Sequence, residues 1–430
     1  MRIAIFTDTY LPEKNGISMS IDSFTKLMAA DGHQIQIFCP KKGLFRDKPT
    51  PNISVTRYAS VTAPSNKDTK LSLPFIWRAV KALKKFNPDI VHIQTPIGIG
   101  IVGIWATKIL KLKNIQTYHT YLPDFMVYVS PKNLLGISKI TNYINNSRLA
   151  KSLMLEADDL ENNPNWSKFK KKLKKIIKEI IFSDEEEDRR KFKDIIGENY
   201  TRLVYNRADL VLTPSKALKH ILKSQGVKIK VDVMSNGVDN SLFKKKTDYN
   251  IKNRIVYTGR LGNEKSVEVV IEAFYIAQKI KPQLRLDIYG DGPARKNLHN
   301  LTKKLKMTRK IKFLGTYDIQ KVSQKLCEYD FFITASAIET QGIVMLEAMS
   351  SGLPVIAVNK LATPEIVLNG KNGYLSEAFD AIGMAENILK MLESEKKLEK
   401  FGHRSILMAQ SHEITKCKEL LLQKYKRMSK

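Results

Sequence analysis

The stretch ASAIETQGIVMLEAMSSGLPVIAVN, from Ala335 to Asn359, decides how the rest of the chain is read. The apolar run Phe331-Phe332-Ile333-Thr334 before it reads as a strand. Val355-Ile356-Ala357-Val358 near its end, bounded by Gly352 and Pro354, reads as a second, β-branched strand. Between them Val344, Leu346, Ala348 and Met349 supply the packing face of a helix, so the unit is strand, loop, helix, strand. Its loop is Ile338-Glu339-Thr340-Gln341-Gly342-Ile343. The start of a helix presents backbone N–H groups and the positive end of its dipole, which suits an anion. Gly342 permits a ligand to approach the backbone closely. Glu347, further down the helix, is placed to accept hydrogen bonds from vicinal hydroxyls such as those of a ribose. Either glutamate alone also fits a surface helix with an ordinary capping residue.

The combination is more particular. Glu339 and Glu347 are separated by seven residues, enclose Gln341-Gly342, and continue as Glu-Ala-Met-x-x-Gly-x-Pro-Val-Ile-Ala. This resembles the donor-sugar signature of retaining glycosyltransferases of family four. Their architecture is GT-B: α/β, two Rossmann-like doubly wound domains facing across a cleft. The resemblance implies that Glu347 holds the nucleotide ribose and Glu339 contacts the sugar hydroxyls. It also implies that the backbone of Gln341, Gly342 and Ile343 meets sugar and phosphates.

A chain of 430 residues has room for two domains with a core each, and 43% hydrophobic residues are ordinary for a folded protein. The formal net charge of +29 is not ordinary and implies an anionic partner, a nucleic acid or a membrane surface. Lysine is abundant throughout, no nucleic-acid motif appears, and the charge is not confined to one module, so nucleic acid is the remote reading. Cys39, Cys327 and Cys417 show no metal spacing and read as reduced thiols. No secretion signal is apparent at the start. Ile90 to Thr107 lacks Asp, Glu, Lys and Arg over 18 residues, but His92, Gln94 and Pro96 favour a buried strand followed by a helix over a membrane span.

The first half alternates strands (Arg2–Phe6, Gln34–Phe38, Ile53–Arg57, Asn114–Tyr118) with helices, the pattern of a doubly wound parallel sheet. The loop before the first helix contains Gly16, which the resemblance puts near the donor phosphates. A helix over Leu73–Phe86 carries Phe75, Ile76, Ala79, Val80 and Leu83 on one face, with Trp77, Arg78, Lys81 and Lys84 around it. That composition fits a monotopic membrane contact, and equally a sheet-packed helix with a solvated basic face. His119 follows a parallel strand, where site residues sit. His-Thr-x-x-x-Asp-Phe, with Asp124, resembles the acceptor side of the family's lipid transferases. A segment at about 135–197 interrupts the pattern. Its lysines, including Lys171, Lys172 and Lys175, alternate with apolar residues at helical spacing, which fits either an anionic-bilayer anchor or a solvated helix.

Asn236-Gly237-Val238-Asp239 reads as the crossover, giving domains 1–239 and 240–410 with a helix at 411–430. The last helices, from Ala378, are expected to pack back across the N-terminal domain. The strand Arg254–Thr258 leads into Gly259-Arg260-Leu261-Gly262-Asn263-Glu264-Lys265. There Gly259 frees the backbone, while the planar fork of Arg260 and the compact charge of Lys265 both suit a diphosphate. Gly290 marks another turn at a strand's carboxyl end.

No Asp-x-Asp or His/Cys cluster with metal-ligand spacing is present, so no metal and no cofactor is expected. Arg260, Lys265 and helix N-termini must then neutralise the donor diphosphate. Within the family the chain most resembles bacterial monoglycosyl diacylglycerol synthases, through Phe6-Thr7-Asp8-Thr9-Tyr10-x-Pro, His92-Ile93-Gln94-Thr95-Pro96 and Tyr118-His119-Thr120. The resemblance implies a peripheral enzyme on the cytoplasmic face of the cell membrane. It would move glucose or galactose from UDP-glucose or UDP-galactose to diacylglycerol, with His119, Glu339, Arg260 and Lys265 as catalytic candidates. A phosphatidylinositol-type lipid or a soluble sugar as acceptor keeps the same donor site. The oligomeric state is not legible.

Overall fold

The computed structural model describes all residues except 14, 42–44, 46, 48–49, 64–65, 73–74, 120–196, 317–318 and 430. Asp124, Lys171, Lys172, Lys175 and almost all of the expected helical insertion lie outside the described residues.

The N-terminal strands are β1 Arg2–Phe6, β2 Gln34–Pro40, β3 Ile53–Tyr58, β6 Ile90–Ile93, β7 Asn114–Thr117, β8 Leu210–Thr213 and β9 Val231–Val233. They form one parallel sheet in the order β3-β2-β1-β6-β7-β8-β9. Between β3 and β6 lies an antiparallel pair, β4 Ser60–Ala63 and β5 Asn66–Ser72, that the sequence pattern does not announce. Alternation along the strands divides the core in two. Ile3, Ile5, Ile90, Ile115, Leu210 and Leu212 face the helices Gly16–Ala30 and Ile414–Met428. Ala4, Phe6, Val91, Ile93 and Val211 face the opposite way, toward Ile76–Phe86, Ile99–Leu110 and Lys216–Ser224. A sheet covered on both faces needs this apolar content on both sides of each strand.

The second sheet repeats the plan. β10 Arg254–Thr258, β11 Arg285–Tyr289, β12 Ile311–Gly315, β13 Phe331–Ile333, β14 Val355–Val358 and β15 Gly373–Ser376 pair in parallel in the order β12-β11-β10-β13-β14-β15. The strand order reverses between β1 and β6 in one sheet and between β10 and β13 in the other. In open α/β sheets ligands bind outside the carboxyl ends of the strands at such reversals.

Two readings of the sequence are corrected. Phe75 is half exposed and precedes the helix, which starts at Ile76, so only Ala79, Val80 and Leu83 are fully buried there. The last helices do not all cross to the N-terminal domain. Ala381–Met391 and Glu395–Ser411 bury Met384, Ile388, Leu398 and Phe401 in the C-terminal core, and only Ile414–Met428 packs on the N-terminal sheet. Among the described residues no helix is long and apolar enough to cross a membrane.

Candidate active site

The two constellations of the C-terminal half meet at the β10/β13 reversal. Lys265 lies in the short 3-10 turn after β10, and Glu339 in the loop after β13. The Lys265 Nζ donates to Glu339 Oε1 at 2.6 Å, and both side chains are largely shielded, at 25% and 10% exposure. Arg260 is more open. Its Nη2 donates to Glu264 Oε1 at 2.6 Å, and the Tyr257 hydroxyl donates to its carbonyl at 3.2 Å. Burial, with Glu339 and Glu264 nearby, raises the Tyr257 phenol and keeps it a neutral donor.

The helix after Glu339 starts because Gly342 takes the left-handed conformation, φ 81°, that an L side chain resists. A Cβ there would also lie 2.2 Å from Met345 Cε. Met345, Leu346, Ala348 and Met349 are buried, while Val344 is half-buried. Glu347 is buried as well, on the same helix. No side chain caps this N-terminus. The Gln341 side chain reaches the interdomain linker. Its Nε2 donates to Ser235 Oγ at 2.6 Å, and its Oε1 accepts from the Asn236 N–H at 3.0 Å.

Gly259 and Gly290 serve each other. A Cβ on Gly290 would lie 1.9 Å from the Gly259 carbonyl oxygen, so these two strand-end loops nest only because Gly290 has no side chain.

From the other domain, Gly16 opens the helix Gly16–Ala30. Its N-terminus carries a capping box in which Asn15 Oδ1 accepts from the Ser18 N–H at 2.9 Å. A Cβ on Gly16 would stand 3.6 Å from Ile343 Cδ1, so the two helix N-termini converge across the cleft. Asp8, after β1, accepts the backbone N–H groups of Ile97, Gly98 and Ile99 at 2.7–3.0 Å and caps the helix Ile99–Leu110. Burial raises its pKa against those bonds.

His119, after β7, is buried and held by Gln94, with Nε2 to Oε1 at 2.6 Å. The Gln94 Nε2 stands 3.2 Å from His92 Nδ1. His92 Nε2 meets Thr117 Oγ1 at 2.6 Å, and its Nδ1 meets the Tyr425 hydroxyl at 2.5 Å. Burial holds His119 down to about 4 and His92 to about 3, so both rings are neutral at ordinary pH. Trp77, Lys81 and Lys84 lie exposed on the helix Ile76–Phe86, away from this network, and the Arg78 guanidinium stacks over Tyr58 at 4.9 Å.

The structure thus joins Lys265 to Glu339 and sets Gly16 against Ile343. Three participants escaped the sequence reading as site residues: Gln94, His92 and Tyr425. The signal for the first two was a polar residue at every second position, His92/Gln94 and Thr117/His119, at the ends of two strands. Tyr425 offered none. Among the described residues no group of three or more His, Cys, Asp or Glu is placed to hold a metal ion.

Residues 238–408 match the family of glycosyl transferases group 1, and residues 14–153 match glycosyltransferase family 4, together well over half of the chain. The chain belongs to the glycosyltransferases. It is 25% identical over 372 residues to an alpha-monoglucosyldiacylglycerol synthase of Streptococcus pneumoniae, covering 83% of this chain and 71% of that protein. A protein of the same name from Acholeplasma laidlawii is 27% identical over 379 residues, 87% of this chain and 84% of its own. Anabaena HepE, solved with UDP and glucose, superposes with a TM-score of 0.69 at 17% identity, over 99% of this chain and all of that one. The architecture of this glycosyltransferase is GT-B, and it is a hexosyltransferase. Its group 1 match takes in the loops of Arg260, Lys265 and Glu339 alike.

Proposed function

We propose that this glycosyltransferase transfers glucose or galactose from a UDP-sugar to 1,2-diacylglycerol with retention, without a metal, at the cytoplasmic face of the membrane. The observation that carries the donor half is the Lys265–Glu339 pair at the β10/β13 reversal, opposite the Gly16 helix N-terminus. A leaving nucleoside diphosphate gains charge as the bond from sugar C1 to phosphate oxygen breaks. Arg260, Lys265 and the converging helix N-termini stabilise that charge where it develops. On the same face the acceptor hydroxyl oxygen bonds to C1 and passes its proton to the leaving phosphate oxygen, giving UDP and an α-glycolipid. Glu339 orients sugar hydroxyls and Glu347 the ribose, while neutral His119 hydrogen-bonds sugar or acceptor through its second ring nitrogen.

The lipid half draws support from two relatives named for diacylglycerol glucosylation. It also draws on the helix Ile76–Phe86, where Trp77 is 53% exposed beside exposed Lys81, Lys84 and Lys85.

The test is incubation of the pure protein with UDP-glucose or UDP-galactose, diacylglycerol in anionic liposomes, and chelator. A chromatographically resolved monoglycosyl diacylglycerol is expected from one donor. Donor hydrolysis without lipid labelling would remove the acceptor assignment, and inertness toward both donors would remove the UDP assignment. Liposome flotation of a Trp77→Ala, Lys81→Glu, Lys84→Glu variant is expected to fail at low salt. Unchanged flotation would return that helix to a solvated face.

A further inference from the structure

We propose that Tyr425 is a positioning residue for His119, acting through His92 and Gln94. The four side chains, with Thr117, form one buried ladder that runs from the N-terminal core to the carboxyl ends of β6 and β7. The geometry follows from strand periodicity. β6 and β7 pair in parallel with His92 beside Ile115, so His92 and Gln94 share a face with Thr117 and His119. That face is the one covered by the helix Ile414–Met428, whose Tyr425 is fully buried among Ile90, Ile115 and Leu421.

An apolar core would be satisfied by phenylalanine at 425 and leucine at 92. Four polar groups buried together have to satisfy one another in full, so each fixes its neighbour's proton. Gln94 turns its oxygen to His119 and its amide nitrogen to His92. His119 Nε2–H therefore donates to Gln94, and its Nδ1 is left as the acceptor. His92 Nδ1 is the acceptor for the Gln94 amide and the Tyr425 hydroxyl, and its Nε2–H donates to Thr117. Tyr425 fills the one place in the chain of bonds that the N-terminal domain does not supply. The final helix thus sets the tautomer of a ring at the carboxyl end of β7.

The transfer arm of the test rests on the proposed activity, and a spectroscopic arm does not. In ring-¹⁵N-histidine protein, assigned with His92→Asn and His119→Asn variants, both rings are expected as neutral Nε2–H tautomers. Tyr425→Phe keeps the ring and removes only the hydroxyl. It is expected to shift the His119 nitrogens and to lower kcat up to about 100-fold with a smaller change in donor KM. Gln94→Met severs the ladder at the link between His92 and His119 without touching the final helix, and the same shift and loss are expected. It stands in if Tyr425→Phe does not fold.

His119 signals that superpose on the wild type in Tyr425→Phe, or in Gln94→Met where that variant stands in, overturn the proposal. So do shifted signals with unchanged kcat and KM in an enzyme active as wild type. If the wild-type protein transfers no sugar, the activity reading fails and the tautomer signals alone decide the ladder.

Discussion

At the scale of single residues, the contact between Lys265 and Glu339 joins side chains 74 positions apart at 2.6 Å. Each carries a charge that the fold shields from water, so removing one partner strands the other. Glu339→Gln and Lys265→Met are each expected to lower kcat/KM on the order of 100-fold. Initial rates at varied donor, with a melting curve alongside, check this, and full activity in both would take the pair out of the site.

The histidines make a second prediction. Burial places His119 at about 4 and His92 at about 3, below the ordinary value of 6.5. Below pH 6.5 the unfolded chain takes up protons that the folded chain refuses. The stability these rings contribute is therefore complete above pH 6.5 and is lost as pH falls toward 4 and 3. Between pH 6.5 and 5 the loss is up to about 2 kcal/mol for each ring. Urea unfolding at the two pH values checks it, and His119→Asn is expected to lose correspondingly less than the wild type.

At the scale of elements, the helix N-termini at Gly16 and Ile343 face each other closely. One methyl fits at ordinary contact, 3.6 Å from Ile343 Cδ1, and a larger side chain would reach into the space between the two N-termini. Gly16→Ala is expected to keep donor affinity, whereas Gly16→Leu raises donor KM several-fold with little change in melting temperature. Calorimetric titration with UDP and a thermal scan check the pair.

The same scale shows what the sequence made legible. The strand, loop, helix, strand unit from Phe331 to Val358 could be read because β-branched runs, a glycine entry and helical spacing agree locally. The β4/β5 hairpin could not, because Asn66–Ser72 lacks alternation of apolar residues. Phe75 was misread because it precedes the helix, where helical periodicity does not apply. The close approach of the Gly259 carbonyl to Gly290 comes from another loop, and no local pattern encodes it. Tyr425 meets a histidine 333 positions away, and no local pattern encodes such a bond.

At the scale of the molecule, the chain crosses between the domains twice, and the crossings are tied together. The Val238 N–H donates to the His412 carbonyl at 2.9 Å, and the Ile414 N–H to the Val238 carbonyl at 3.0 Å. Ser235 Oγ meets both Gln341 and His412, so the loop of Glu339 and both crossings share one hydroxyl. A second tie joins the two domains directly. The Glu365 carboxylate accepts the N–H groups of Lys216 and Ala217 at 2.9 and 2.7 Å, capping a helix of the other domain. Glu365→Ala is expected to weaken the association of the two domains by about 1 kcal/mol. The radius of gyration in solution scattering should then rise, and UDP affinity should fall roughly fivefold. Unchanged scattering would make the cap incidental.

The crossing of the final helix also bears on how the molecule is made. Ile414, Cys417, Leu421, Leu422 and Tyr425 complete a core whose other buried members lie before residue 235. A ribosome adding ~5–20 residues per second needs roughly 10–40 s to pass from one to the other. Through that interval Ile3, Ile5, Ile90 and Leu212 wait on a face that the helix Gly16–Ala30 alone covers in part. The N-terminal domain leaves the ribosome before the C-terminal one, yet its core closes after it. During synthesis it is the part most exposed to holdase chaperones.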